Sequence, residues 1–250
     1  MKIRNNVKIS ICIAVKNNKK KLQKCLNSIL NQTYKNYEIN IVDGKSIDGS
    51  QSVIKNYKNK INNFISEKDT GIYSAFNKLI NLSTGEFICF LGSDDYFINN
   101  NSLKNLINSC EIDNYDFISS QILLYDDNKL HHTKIGKKFI YSNLIYGMKF
   151  VHSSALTRSS ILKKNKFDEK YKISGDFDLM VRVGKNIRSF FYNKPTIYYY
   201  SGGISRSKVS IANYECFLSL RHNKNFGLFK SLFFIFHTKF KIIIKKYIYA

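Results

Sequence analysis

The chain has 250 residues, 44% of them hydrophobic, so it is long enough to bury a core and to form one domain, or one domain with an appendage. Its 40 Lys and Arg residues against 18 Asp and Glu residues give a net charge of +22, which favours an anionic partner: nucleic acid, a phosphate-bearing substrate or an acidic membrane surface. The five cysteines form no CxxC pair, and no apolar run reaches the roughly 18 residues of a membrane-spanning helix, which argues against a zinc ribbon, a disulfide framework and a transmembrane protein.

Strands and helices alternate in the first half of the chain. The apolar pattern predicts strands at residues 7–15, 37–42, 61–66 and 87–91. Helices lie between them, and we expect Ser46 or Asp48 to cap the second one. This alternation predicts a parallel sheet with helices on both faces, in which ligands bind at the carboxyl ends of the strands.

The first predicted strand lies close to the N-terminus, where MKIRNN is basic. The apolar run that follows is short and no small-residue cleavage site ends it, so we interpret it as a strand rather than a signal peptide. Cys12, Cys25 and Cys89 stand in apolar runs and are predicted to be small core residues, which fits a reducing cytosol.

The second half is less regular. Strands are predicted at residues 115–125 and 187–200, the latter interrupted by Pro195, and helices at residues 154–164 and 177–186. From Arg221 onwards the chain has seven Lys or Arg residues and no acid. This tail carries aromatic and apolar residues on roughly one helical stripe, namely Phe229, Phe233, Phe236, Phe240, Ile244 and Tyr247.

Acidic residues follow two of the predicted strands. Asp43 ends the second strand, and Asp94 and Asp95 follow the fourth. Adjacent carboxylates at a partly desolvated strand end repel each other, and a divalent cation such as Mg²⁺ or Mn²⁺ would relieve the repulsion. The alternative is a solvated turn in which Asp94 or Asp95 caps the next helix.

Six segments resemble, in order and spacing, the motifs of the family 2 nucleotide-sugar glycosyltransferases, which have the GT-A fold. They are SICIAVKNN, CLNSILNQTY, YEINIVDGKSIDGS, EKDTGIYSAFNKLI, GEFICFLGSDDYF and FDEKYKISGDFDLMVRV, and they cover roughly residues 7–200. The resemblance implies an α/β fold with a Rossmann-like, mostly parallel central sheet flanked by helices and with a C-terminal helical tail. It implies a GT-A domain over residues 1–220, of which 1–98 bind the nucleotide sugar and 99–220 the acceptor, followed by the basic aromatic tail, residues 221–250.

The resemblance assigns the donor site to the first half. Asp43 corresponds to the family's Asp that contacts the nucleotide base or the ribose, and Asp69 would line the same pocket. Asp95 would bind Mn²⁺ or Mg²⁺ directly, and Asp94 would support the metal or touch the ribose. From the residues alone, Asp43 is also compatible with a turn before Gly44, and Asp69 with a turn or a helix cap.

The chain departs from the family pattern at three points. Where many relatives have PxYN, it has Ala14-Val15-Lys16-Asn17. We expect Ala14, Lys16 and Asn17 to contact the donor, with Lys16 either pairing with a phosphate or lacking the stacking on the base that Tyr gives. Lys45 replaces the second Asp of DDGS, and Ser93 stands at the first carboxylate position of the DxD motif.

The last segment supplies the catalytic base that the resemblance implies. Asp176 would take a proton from the acceptor hydroxyl, unless it is a first-turn acid favoured by the helix dipole. His152 would meet phosphate or acceptor, or else pack as an ordinary His. Asp178 is predicted to be structural, and Arg182 either pairs with a carboxylate of the site or faces solvent.

The resemblance implies an inverting, metal-dependent hexosyltransferase that uses a UDP-hexose or UDP-N-acetylhexosamine. The acceptor would be a saccharide, which we expect to be lipid-linked, in the synthesis of a surface polysaccharide such as O-antigen, capsule or lipooligosaccharide. Two other functions remain open: a basic nucleic-acid-binding protein, which we do not expect because no zinc or RNP-type motif is present, and a catalytically inactive relative.

The tail, residues 221–250, allows three interpretations. It forms an interfacial helix on an anionic membrane, a helix packed on the domain, or a contact with a partner. Phe234, Ile235 and Ile242 make the apolar stripe imperfect, because they lie on its opposite side. We expect the membrane contact, and with it a cytoplasmic location on the inner face of the cytoplasmic membrane.

Overall fold

The computed structural model describes residues 6–203 and 208–248 and, among them, a single nine-stranded sheet. The strand order is β3-β2-β1-β4-β8-β6-β9-β5, with β7 paired to β6. The strands are β1 (Ile9–Val15), β2 (Tyr37–Asp43), β3 (Asn63–Ser66), β4 (Phe87–Phe90), β5 (Tyr96–Phe97), β6 (Phe117–Tyr125), β7 (Leu130–Ile135), β8 (Ala155–Arg158) and β9 (Ser189–Tyr200).

Helices flank the sheet and follow the last strand. They are α1 (Lys19–Leu30), α2 (Ser50–Asn56), α3 (Ile72–Leu82), α4 (Ser102–Ile107), α5 (Ser159–Lys164), α6 (Gly175–Val183), α7 (Val209–His222) and α8 (Gly227–Ile248). None of the helices in the described ranges combines the length and the apolar character that crossing a bilayer requires.

The first half has the predicted parallel arrangement. Strand β1 pairs in parallel with β2 and β4, and β2 pairs in parallel with β3. Val15 therefore lies beside Asp43 at the ends of their strands. The carboxyl ends of these strands form one rim, as the sequence predicts.

The second half of the sheet is mixed rather than parallel. Strand β8 runs antiparallel to both β4 and β6, and β9 runs parallel to β6 but antiparallel to β5. Pro195 does not interrupt β9. It lies opposite Gln121 where the register of the β6–β9 pair shifts, because a proline without an N–H is accommodated at an irregularity of the ladder.

Two local predictions are wrong. Residues 154–164 are not one helix, because residues 155–158 form β8, whose partners on β4 and β6 are distant in sequence. Gly49, with φ of +93°, occupies the cap position of α2. Asp48 instead accepts hydrogen bonds from the N–H groups of Lys19 and Ser50 at 2.8 and 2.9 Å.

The sheet separates two apolar clusters. Alternate residues of β1 enter opposite sides, with Ile11 and Ile13 facing α1 and Cys12 facing α3. All five cysteines are free thiols, and the predicted burial of Cys12, Cys25 and Cys89 is confirmed.

A third apolar cluster joins the last three helices. It contains Phe177 of α6, Leu220 of α7 and Phe234 of α8. Burying one such phenylalanine stabilises the docked helix by about 2 kcal/mol. The start of the tail is therefore packed on the domain. The side chains of residues 242–243 and 245–250 lie outside the described part; they include Tyr247 of the predicted stripe and Ile242 of the opposite side.

Candidate active site at the carboxyl ends of the strands

Asp94 and Asp95 lie in the tight turn after β4. The N–H of Asp95 donates to the carbonyl of Gly92 at 2.9 Å. A Cβ at Gly92 would lie 2.6 Å from Asp95 Oδ2 and 2.9 Å from Asp94 Oδ1, so both carboxylates fold back over the glycine. The turn therefore requires glycine at this position and brings two anionic oxygens together.

The surroundings of this pair raise both pKa values. Burial, and then the charge of Asp94, raise the pKa of Asp95 to about 7. Burial also raises the pKa of Asp94, against the opposing effect of Lys21. The ionised pair is thus costly in the absence of a further cation, and two converging carboxylate oxygens are the ligands that Mn²⁺ and Mg²⁺ prefer.

Within residues 6–203 and 208–248, no group of three His, Cys, Asp or Glu side chains converges as a metal site. The residues present fit a cation bound by one or two carboxylates together with oxygens of another molecule, since the Asp94–Asp95 pair supplies that donor set.

Two tyrosines hold the turn in place. The hydroxyl of Tyr125 donates to the carbonyl of Asp94, and the N–H of Tyr200 donates to Asp95 Oδ1 at 2.9 Å. The hydroxyl of Tyr200 donates to Asp127 at 2.7 Å, and Lys21 contacts both the ring of Tyr200 and the carboxylate of Asp127. The hairpin tip after β6 is thereby tied to the carboxylate pair.

Asp43 lies at the end of β2 and is fully buried. Its carboxylate accepts hydrogen bonds from the N–H of Ser46, at 3.2 Å, and from the hydroxyl of Ser66, at 2.7 Å. It therefore stabilises the loop after β2 from beneath, and its predicted contact with the base or ribose stays a prediction.

The other predicted donor residues surround this loop. Asp69 Oδ2 and the side chain of Lys16 both lie 3.3 Å from where a Cβ of Gly44 would be, so the structure brings these two residues together. Asp69 Oδ1 forms an ion pair with Lys78 at 2.5 Å. Lys16 is exposed, as a contact with phosphate would require.

Asn17 and Ala14 have structural contacts in addition to their predicted role. Asn17, with φ of +52°, donates its N–H to the hydroxyl of Ser46 and accepts the N–H of Ile47 through Oδ1. Ala14 lies within β1 and packs against the cluster on the α3 side of the sheet. Contacts of Asn17 and Ala14 with a donor stay predictions.

Asp176 lies in the first turn of α6. Its Oδ1 accepts the N–H of Phe177 at 2.8 Å and lies 3.3 Å from the hydroxyl of Tyr73, which donates to the carbonyl of Ile173 at 2.7 Å. A Cβ at Gly175 would lie 2.7 Å from the ring of Tyr73, so glycine is needed for this close approach. Burial and the charge of Asp176 raise the pKa of Tyr73, which keeps this hydroxyl protonated.

Glu215 of α7 fixes the segment that precedes Asp176. Its buried carboxylate accepts three backbone N–H groups, those of Lys172, Ile173 and Ser174, at 2.7, 2.9 and 2.8 Å. The hydroxyl of Ser174 donates to the carbonyl of Ala212 on the same helix at 3.0 Å. We call the three hydrogen bonds that the Glu215 carboxylate accepts from backbone N–H groups the Glu215 clamp.

The turn at His152 and Ser153 connects the two acidic centres. Ser153 hydrogen-bonds to Asp95 through its side chain, and Asp176 acts electrostatically on His152. The ring of His152 stacks on Phe90 with ring centroids 5.2 Å apart. Burial lowers the pKa of His152, which favours a neutral imidazole at this position.

Asp178 is buried, accepts the hydroxyl of Ser219 at 2.9 Å and pairs with Arg182 at 2.7 Å. Its predicted structural role fits these contacts, and Arg182 pairs with Asp178 rather than with Asp176.

Sequence reasoning missed Tyr73, Tyr125, Tyr200, Ser153 and Glu215. The available signal was weak. Glu215 is the last acidic residue of the sequence, but the backbone N–H groups that donate to it lie about 40 residues earlier in the chain.

Comparisons of the sequence with known proteins identify its relatives. The profile of Glycosyl transferase family 2 matches residues 10–178. An uncharacterized glycosyltransferase of Methanocaldococcus jannaschii is 30% identical over 200 residues, which cover 73% of this chain and 66% of that protein. A poly(ribitol-phosphate) beta-glucosyltransferase of Bacillus spizizenii is 40% identical over 96 residues, which cover 36% of this chain and 15% of that protein. The matched segments thus span less than two thirds of either relative.

Solved structures share the fold. S. aureus TarS in complex with UDP-GlcNAc has a TM-score of 0.69 at 20% identity and covers 87% of this chain and 67% of its own. A mannosyltransferase from Pyrobaculum calidifontis in complex with GDP-Man and Mn²⁺ has a TM-score of 0.64 at 14% identity and covers 84% of this chain and 63% of its own. The predicted GT-A fold is confirmed. Since the family profile extends from β1 to the first turns of α6, the chain belongs to glycosyl transferase family 2.

Proposed function

We propose that the protein is an inverting glycosyltransferase that moves a hexose or N-acetylhexosamine from a UDP-linked donor to a saccharide acceptor. The observation that carries the proposal is the arrangement of two acidic centres on one rim. Asp94 and Asp95 form one centre and Asp176 forms the other. In the turn between them, Ser153 hydrogen-bonds to Asp95 and His152 lies within the electrostatic influence of Asp176. In the proposed reaction the Asp94–Asp95 centre binds the diphosphate, Asp176 acts as the base, and the reacting sugar lies between them.

Asp176 acts as the general base. Its carboxylate takes the proton of the acceptor hydroxyl as that oxygen attacks the anomeric carbon, and the nucleoside diphosphate leaves from the opposite face. The Glu215 clamp and the N–H of Phe177 hold Asp176 in place during this transfer. One displacement inverts the anomeric centre, so no covalent nucleophile is required.

Asp95, supported by Asp94, would hold Mn²⁺ or Mg²⁺, which when bound neutralises charge on the departing diphosphate as a Lewis acid. The raised pKa of Asp95 supports this assignment, because a buried ionised carboxylate needs a cationic partner. The Mn²⁺ in the mannosyltransferase complex is consistent with a cation in a site of this fold.

The donor nucleotide lies over the loop after β2. Asp43 and Asn17 fix this loop, Asp69 lines it, and exposed Lys16 pairs with a phosphate. The complex of TarS with UDP-GlcNAc supports UDP as the nucleotide, and the GDP-Man complex of the mannosyltransferase makes GDP the alternative.

The acceptor is a lipid-linked saccharide, and the reaction contributes to a surface polysaccharide at the inner face of the cytoplasmic membrane. Two observations support this placement: a relative acts on poly(ribitol-phosphate), and the tail is basic and aromatic. Residues 221–250 would contact the anionic lipid.

A screen of nucleotide sugars tests the proposal. The purified protein is incubated with UDP-, GDP- and dTDP-sugars with and without Mn²⁺, and donor binding is followed by the melting temperature and turnover by released nucleoside diphosphate. We expect a UDP-sugar to raise the melting temperature only with the cation. A protein that responds to none of these donors, with or without metal, would not have the proposed function.

A further inference from the structure

Helix α8 has two apolar faces. On one face Phe234 is buried, its ring 6.0 Å from that of Phe177, and Ser231 is fully buried. This face belongs to the cluster that joins α6, α7 and α8. Phe234 and Ile235, which interrupt the apolar stripe predicted for the tail, thus attach the helix to the domain.

The second face is exposed. We define the α8 stripe as Phe229, Phe233, Phe236, Phe240 and Ile244. At about 100° per residue these positions fall within an arc of about 80°, opposite Ser231 and Phe234. Phe229, Phe236 and Phe240 are 87%, 68% and 52% exposed, and the rings of Phe236 and Phe240 stack on each other. A contiguous row of exposed aromatic side chains indicates an interaction surface.

Lysines flank the α8 stripe on both sides. Lys230 and Lys241 lie at about 100–120° from Phe229 around the helix, and Lys239 lies at about 80° on the other side. No acidic residue follows Glu215 in the sequence, so no charge of the helix opposes these lysines. Lysines beside a narrow apolar stripe are typical of helices that lie in a membrane interface.

A cluster of cations adjoins the same face. Lys137 and Lys149 are joined by a backbone hydrogen bond of 2.8 Å, and Lys149 lies against Lys241 of α8. Burial, followed by Lys241 and Lys137, lowers the pKa of Lys149 to about 8, which shows that the cations are crowded together. Next to them, Nδ1 of His237 is buried without a hydrogen-bond partner in the described part of the chain. We call Lys137, Lys149 and Lys241 the lysine cluster.

We propose that the α8 stripe and the lysine cluster form a docking surface for an anionic lipid bilayer, with the aromatic side chains in the headgroup region and the lysines on lipid phosphates. This inference deepens the proposed function, on which its relation to a lipid-linked acceptor rests. A bilayer fits better than a second copy of the chain, because two-fold pairing along α8 would bring its flanking lysines against one another. A nucleic-acid duplex is less suitable, since its phosphate backbone would leave an apolar row of exposed phenylalanines unburied.

The same helix links the membrane to the catalytic rim. Phe234 packs against Phe177, the residue that follows Asp176. Docking of the α8 stripe would therefore fix the position of Asp176 relative to the lipid surface.

Vesicle sedimentation of the full chain tests the surface. We expect binding to phosphatidylcholine vesicles that contain phosphatidylglycerol, weak binding to phosphatidylcholine alone, and a loss of binding with rising salt. Replacing Lys137, Lys149 and Lys241 together by Gln should weaken binding by about 100-fold, at roughly fivefold per lysine. The matched control replaces Lys55, Lys60 and Lys104, which are exposed elsewhere, and removes the same net charge.

A second pair of variants separates the aromatic contribution from charge. Phe236→Ser with Phe240→Ser should reduce binding at least tenfold, because both rings leave the interface. Leu130→Ser, at an exposed position of β7, should leave binding unchanged.

Equal losses in the lysine-cluster variant and its control would overturn the proposal, as would unaltered binding by the phenylalanine variant. Binding of short DNA that competes with vesicles, or a dimer that the phenylalanine variant dissociates, would overturn it in favour of another occupant. Donor binding, measured by the melting temperature with UDP-sugar and Mn²⁺, should be the same in all these variants. A wild-type protein that binds vesicles but no donor would refute the proposed function and leave the docking surface standing.

Discussion

From the Glu215 clamp we predict that a residue remote from the proposed reacting atoms controls Asp176, the proposed catalytic base. Glu215 is buried and accepts three backbone N–H groups just before Asp176, at 2.7, 2.9 and 2.8 Å. Hydrogen bonds to a charged group contribute about 1.5–3 kcal/mol each but are not additive when they share one acceptor. Removing the acceptor leaves three donors without it, so we expect Glu215→Ala to lower the free energy of unfolding by about 3–5 kcal/mol.

The isosteric variant gives the sharper test of function. In Glu215→Gln one oxygen still accepts two N–H groups, while the new amide faces the third N–H. We therefore expect the free energy of unfolding to fall by about 2 kcal/mol and the segment before Asp176 to be displaced. A shift of about 1 Å at a reacting group lowers turnover about 100-fold. We therefore expect kcat to fall by about 10- to 100-fold while donor affinity changes little.

Urea unfolding measures the stability and released nucleoside diphosphate measures kcat, with Glu111→Gln as the control, since Glu111 is exposed and bonds Asn114 alone in the described contacts. If Glu215→Ala loses stability but the folded fraction turns over at the normal rate, the clamp is structural and does not position Asp176. Unchanged stability in both variants would contradict the hydrogen-bond argument itself.

Three further changes test the rim and the sheet beneath it. Asp95→Asn removes a buried carboxylate whose pKa is raised to about 7, so the melting temperature at pH 8 without metal should rise. Mn²⁺ should not raise the melting temperature of this variant further. A Mn²⁺ response equal to that of the wild type would contradict the metal assignment. Asp176→Asn keeps an oxygen that accepts the N–H of Phe177, and it should lower kcat about 1000-fold with donor affinity nearly unchanged. A collapse of donor affinity would exclude the role of Asp176 as the base. Burial raises the pKa of Glu38, but hydrogen bonds from Lys8, Ser10 and Thr84 outweigh it and hold that pKa at about 2. Because the pKa of Glu38 in the folded state lies below 4.5, ionised Glu38 contributes roughly 3 kcal/mol to the free energy of unfolding above pH 4.5, and this contribution is lost as the pH falls towards 2. Glu38→Gln should therefore flatten that part of the profile of unfolding free energy against pH, measured by urea titrations.

The first half was predictable because each of its elements carries its own signal. Continuous β-branched runs separated by helical spacing specify parallel strands, and the rule that ligands bind at strand carboxyl ends then groups Asp43 with Asp94 and Asp95. Strand β8 carries no such signal. Its four residues are a strand because β4 and β6 offer edges on both sides, which is information held elsewhere in the chain.

The candidate site, like the fold, could be predicted from the sequence only in part. Its acids could be found because carboxylates are rare in this chain and stand at element ends. The groups that set their properties could not, because they act across long separations: Tyr200 reaches Asp95 over 105 residues and Glu215 reaches Ser174 over 41. Gly175 is an intermediate case, since the motif contains it but the reason, the ring of Tyr73, appears only in three dimensions.

The charge distribution reconciles two opposing demands of the proposed reaction. A net charge of +22 attracts a nucleoside diphosphate to the protein, yet the rim that must receive it presents the carboxylates of Asp94, Asp95 and Asp176. A divalent cation resolves the conflict at the first two residues, because it converts a repulsive pair into a positively charged anchor for diphosphate oxygens. Asp176 must stay free of the cation to accept a proton. Glu215 accepts the backbone N–H groups of the segment before Asp176, and the N–H of Phe177 donates to Asp176 itself. Both contacts use neutral N–H donors, so they fix the segment and the carboxylate without placing a positive charge beside Asp176.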